Sequence, residues 1–147
     1  MRNHHYALGA ALLITLAMPW TLAAAADLNA PIDMQAVRLQ PQEQNGVRYL
    51  QGGIGQDEAN ALRKTTGYDL HVELSTGPEG KFQSGATVDI QNAQGQPVLS
   101  VADAGPLLYV QLPPGKYKVT GNAQGETVQQ LVTVNGKGPA TVNLNWR

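Results

Sequence analysis

This 147-residue chain predicts an all-β fold: a sandwich of roughly seven antiparallel strands with one short helix ahead of it. Three observations carry the expectation. From Leu70 onward apolar residues recur at every second position in short segments, the period of a half-buried strand. Gly, Pro, Asn and Asp clusters separate those segments at intervals of about eight to twelve residues, the spacing of a sandwich. Only residues 56–65 read as helix once the first 26 residues are set aside.

Those first residues predict a leader. A polar start with one cation, Arg2, precedes an apolar run from Ala7 to Met18. Pro19 breaks the run, and Ala24-Ala25-Ala26 supplies small residues for cleavage, so residues 1–26 read as a secretory signal peptide. The alternative is an uncleaved anchor over Ala7–Ala26, long enough to reach across a bilayer. Alanine richness and Pro19 favour cleavage and a mature start near Asp27.

The chain has no cysteine, which excludes disulfides, thiolate metal sites and thiol-linked lipids. A periplasm fits such an exported domain, with the extracellular space as the other option. Taking Arg2 from the ten Lys and Arg leaves nine against eleven Asp and Glu, a net charge near −2. The charges are scattered. Neither the basic stripe of a nucleic-acid binder nor a polybasic membrane patch is present.

Residues 27–46 read as an extended arm, punctuated by Pro31 and Pro41, with room for one short strand. Residues 47–67 form a lead-in: strand Val47–Gln51, a glycine loop, then the helix. Ala59, Ala61 and Leu62 favour helix, Asp57 and Glu58 suit its positive end, and Arg63 and Lys64 suit its negative end. Gly67 stops it.

Residues 68–147 are the sandwich domain. Leu70, Val72 and Leu74 alternate with polar residues, as do Ala86, Val88 and Ile90. Asn92–Gly95 turns into Pro97–Ala102, where Leu99 and Val101 point inward. Leu108, Val110 and Leu112 then lead to Pro113-Pro114-Gly115, and Tyr117 and Val119 resume the alternation. This stretch predicts a hairpin, because Pro113 cannot donate to a ladder and Pro114-Gly115 suits a tight turn. Val128, Val132 and Val134 follow, and Val142, Leu144 and Trp146 share one side of the last strand. A closed barrel is the alternative architecture.

The segments Ala86–Ile90, Asn92–Gln96 and above all Leu112-Pro113-Pro114-Gly115-Lys116-Tyr117-Lys118-Val119-Thr120 resemble the carboxypeptidase regulatory-like domain. That family belongs to the transthyretin-like and collagen-adhesin B-type sandwiches. The resemblance spans roughly Leu70 to Val134, and residues 49–58 resemble the lead-in of small exported proteobacterial proteins carrying that domain. It implies an accessory module rather than a particular activity.

Candidate sites are sparse. Gly53 and Gly55 lie between strand and helix in a weak dinucleotide-like pattern, Gly53-Ile54-Gly55-Gln56-Asp57-Glu58. Glu58 in place of the third glycine argues against the dinucleotide. A structural strand-to-helix turn is the plainer reading, since Asp57 and Glu58 already occupy the positive end of the helix, and simple anion capture at the helix start ranks below it. Asp69, His71 and Glu73 share a strand face, and an adjacent strand could bring Asp89 near them as a metal or acid–base cluster. An ordinary polar face is the plainer reading, and no metal or cofactor is expected. Tyr109, Lys116 and Lys118 mark a possible interaction surface, with Tyr109 as an exposed aromatic. Tyr117 and Trp146 read as core.

Catalysis has little support. The metallocarboxypeptidases that share the domain need a His-x-x-Glu pair and a further His, and residues 27–147 contain His71 alone. Ser75, Ser84 and Ser100 sit in no nucleophile elbow. The leading expectation is a non-catalytic exported module whose sheet edges and loops bind an envelope protein or peptide, strand addition being one route. A small-ligand binder with its pocket between the sandwich and residues 52–65 is the alternative. A carboxylate hydrolase drawing on Asp57, Glu58 and Asp103 ranks last.

Overall fold

Turn residues set the strand ends, and the segments between them pair into two sheets. The computed structural model describes residues 31–147. The expected leader and the start of the arm lie outside the described residues. The arm ends in a two-stranded hairpin, β1 (Gln42–Gln44) and β2 (Val47–Gly52). Asn45 and Gly46 between them both take positive φ, 52° and 76°, as a two-residue hairpin turn requires. Helix α1 (Gln56–Arg63) follows, with acidic residues in its first turn and Arg63 in its last.

The remaining strands are β3 (Leu70–Thr76), β4 (Lys81–Phe82), β5 (Ala86–Asn92), β6 (Pro97–Ala104), β7 (Leu107–Val110), β8 (Gly115–Ala123), β9 (Glu126–Val134) and β10 (Ala140–Trp146). Sheet A runs β1-β2-β7-β3-β10, with β4 pairing on β3. Sheet B runs β6-β5-β8-β9.

The all-β sandwich is therefore present, with ten strands rather than about seven. Two short strands and the lead-in strand β2, which sits inside sheet A, make the difference. Two further corrections concern pairing. The Pro113-Pro114 segment does not close a hairpin: β7 belongs to sheet A and β8 to sheet B. Sheet A claims the chain up to Leu112, through Gln111 N–H to the Arg48 carbonyl and Leu112 N–H to Asp69 Oδ2, both 2.9 Å. Beyond that the prolines carry it over the edge. The Tyr117 hydroxyl donates to the Pro113 carbonyl at 2.7 Å and pins the corner. The second correction is that β10 pairs with β3 in parallel, Ala140 opposite Leu70 through Trp146 opposite Thr76. Alternation carries no strand direction, so only the crossover from sheet B decides it.

The main core fills the space between the sheets, with Leu70, Val72, Leu74, Val88, Ile90, Val119, Val142 and Leu144 all closed to solvent. Trp146 is buried at its end, its indole N–H donating to the Glu126 carbonyl at 3.0 Å. A second core lies on the other face of sheet A, where Ala59 and Leu62 of α1 meet Leu50, Leu107 and Tyr109. A helix of eight residues would not hold alone in water. Docking supplies its stability, and burying Leu62 contributes about 1.5–3 kcal/mol. Every residue of β7 is buried for this reason: Leu108 and Val110 face sheet B, Leu107 and Tyr109 face the helix.

Candidate functional site

Helix α1 and the arm both lie against sheet A, and the outer face of sheet B carries no such layer among the described residues. Its outward positions are what the alternation leaves over. Gln91, Lys118 and Leu131 stand in one cross-strand row, and Lys116 stands opposite Thr133 in the next. These side chains, with the Asn92–Gly95 turn, line a groove of about 410 Å³. Leu131 is 79% exposed within it. The groove thus joins one uncovered branched apolar side chain to two ammonium groups. Asp89, on the same face, is engaged by Ser100, whose hydroxyl donates to Oδ1 at 2.6 Å.

The second cluster lies on the outer face of sheet A, beside α1. His71 stacks on Tyr109, ring centroids 3.7 Å apart and planes 1° from parallel. Register explains the stack, since the two residues are directly opposite on β3 and β7. Burial pulls the His71 imidazole below its ordinary pKa, opposed by a hydrogen bond to the Tyr68 backbone. Burial raises the Tyr109 phenol, with Arg63 acting against the rise and Glu73 adding to it. Glu73 accepts from Asn143 Nδ2 at 3.4 Å, while the Arg63 guanidinium lies 5.4 Å from the centre of the Phe82 ring. Arg63, His71, Glu73, Tyr109 and Thr141 surround a notch of about 80 Å³.

Several expected site residues fall elsewhere. Tyr109 is 5% exposed, so it is no surface aromatic; alternation turns it away from the main core, and α1 docks over that face. Asp69 leaves the His71–Glu73 pair to hold the Leu112 amide at the sheet corner. Asp89 belongs to the other sheet. No three metal-ligating side chains converge among the described residues.

Gly53 and Gly55 have positive φ, 95° and 90°, and form the loop into α1. That loop already holds an anion of its own. Glu58 Oε1 accepts from Gly53 N–H at 2.9 Å, and Oε2 from Arg38 N–H at 3.4 Å. Asp57 Oδ1 accepts from Asp33 N–H at 3.2 Å. The protein's own carboxylates thus take up amides of the loop and the arm, and Gly53 and Gly55 shape the strand-to-helix turn.

Arg63 and Leu131 were not among the expected site residues. Leu131 did leave a signal, since it is out of phase with Val128, Val132 and Val134 on a strand of outward Thr and Gln. Arg63 left none beyond suiting a helix end. No family model matches the chain, and neither does any curated protein.

Proposed function

We propose that the protein is a non-catalytic, exported β-sandwich module that holds an extended segment of an envelope protein on the outer face of sheet B. The leader-like residues 1–26 support export. The observation that carries the reading is Leu131, 79% exposed and directly across from Lys118. Covering such a side chain stabilises a complex by about 1.5–3 kcal/mol. The flanking Lys116 and Lys118 favour acidic neighbours in the bound segment and speed its encounter. A face is favoured over strand addition, because side chains cross between the sheets at both flanks of sheet B. Gln44 Oε1 accepts from Ser100 N–H at 2.8 Å on one side, and Trp146 reaches Glu126 on the other.

Fluorescence polarisation with a labelled peptide of alternating Glu and Leu tests the reading. Saturable binding is expected, lost in Leu131→Asp and in the double variant Lys116→Glu, Lys118→Glu, and absent for a Lys–Leu peptide. Equal binding by wild type and these variants would overturn it. The same peptide then serves as competitor when the protein is used to capture partners from a periplasmic extract.

A further inference from the structure

The notch beside α1 presents two opposite charges that do not satisfy each other. Arg63 comes from the last turn of the helix and Glu73 from the middle of β3, and both line the same 80 Å³. Among the described residues one ion pair forms, Lys81 with Glu79 at 3.1 Å, so Arg63 and Glu73 remain available. The guanidinium rests near Phe82, a contact that orients it without neutralising it. Glu73 has a single long hydrogen bond, from Asn143, which leaves its second oxygen open. The stacked rings of His71 and Tyr109 line the same notch.

We propose that this notch binds a small zwitterion of the α-amino acid class, its carboxylate on Arg63 and its ammonium on Glu73. A simple anion would meet the Glu73 carboxylate, and a simple cation the Arg63 guanidinium, so only a ligand with both signs matches both walls. The notch is small, about 80 Å³, and suits a compact charged headgroup rather than a large ligand. Thr141 and Asn143, exposed on β10 next to His71 and Glu73, form the open side along which a longer side chain would lie. This site is on the opposite sheet from the Leu131 groove and does not depend on it.

Titrating the purified protein with glycine and L-alanine, followed by backbone amide shifts, tests the proposal. Saturable shifts are expected at Arg63, His71 and Glu73. N-acetylglycine, which lacks the ammonium, and glycinamide, which lacks the carboxylate, should bind about ten- to a hundredfold more weakly, the loss expected for one charged hydrogen bond. Arg63→Gln and Glu73→Gln should weaken glycine by the same factor with melting temperatures close to wild type. Leu131→Asp should change nothing here. Absence of shifts with both amino acids overturns the proposal. So does N-acetylglycine binding as well as glycine, which would reduce the site to a plain anion contact.

Discussion

Replacing Glu58 by alanine should loosen the attachment of α1 more than any other change to an exposed or half-exposed side chain. The helix has no side-chain N-cap, because Gly55 occupies that position. Glu58, three residues later, reaches back past it to the buried Gly53 N–H at 2.9 Å, a displaced form of the capping box. A hydrogen bond to a charged group is worth about 1.5–3 kcal/mol, and its loss strands a buried donor. The carboxylate also faces the positive end of the helix, worth about 0.3–1 kcal/mol. The Arg38 contact at 3.4 Å is long and exposed and adds little. The sum is about 2–4 kcal/mol. At about 3–5 °C per kcal/mol for a chain this size, the melting temperature should fall by roughly 6–20 °C. Glu58→Gln keeps an acceptor without the charge and should cost about half. Urea unfolding followed by the emission of buried Trp146 measures the change. Hydrogen exchange should place the first opening in residues 53–63. Stability within about 0.5 kcal/mol of wild type, with unchanged exchange there, would refute the reasoning.

Three further outcomes are expected. Gly121→Ala should destabilise by about 1–3 kcal/mol, since an added Cβ would lie 2.8 Å from Leu144 and Trp146 side-chain atoms in a filled core; Gly105→Ala should be worse, as its Cβ would meet the Gly52 carbonyl at 2.8 Å and backbone yields less than side chains, and thermal melts of both rank them. Tyr117→Phe should cost about 1 kcal/mol through the lost bond to the Pro113 carbonyl, measured by urea unfolding. The third concerns acid. His71 titrates lower in the folded protein than its ordinary 6.5, so the unfolded chain takes up the proton first. Stability should be full above that value, fall as pH drops below it, and level off once the folded imidazole is also protonated. The groups facing it are Tyr109, Glu73, Arg63 and Thr141. In His71→Gln the slope just below pH 6.5 should flatten, whereas an unchanged slope would assign it to other groups.

Much of this molecule is legible in one dimension. Alternation in residues 70–74, 86–90 and 142–146 names the side chains that fill the space between the sheets, because each strand has one face to bury and a period of two to do it with. The polar first turn and Leu62 place the helix, and the prolines and glycines place the strand ends. Pairing is another matter. Whether Pro113-Pro114 closes a hairpin or crosses between sheets depends on the Leu112 amide finding Asp69, a residue more than forty positions away. The parallel match of β10 with β3 likewise joins segments about seventy residues apart. Tyr109 reads as exposed until α1 is seen lying over it, and Arg63 and Glu73 come to line one notch only through that docking. Local pattern reports which face of a segment is apolar, since that is a property of neighbours in sequence. Which surface the face meets is settled by long-range packing, and in this protein both candidate binding surfaces arise there: one where a helix half covers a sheet, the other where nothing in the described chain covers its partner.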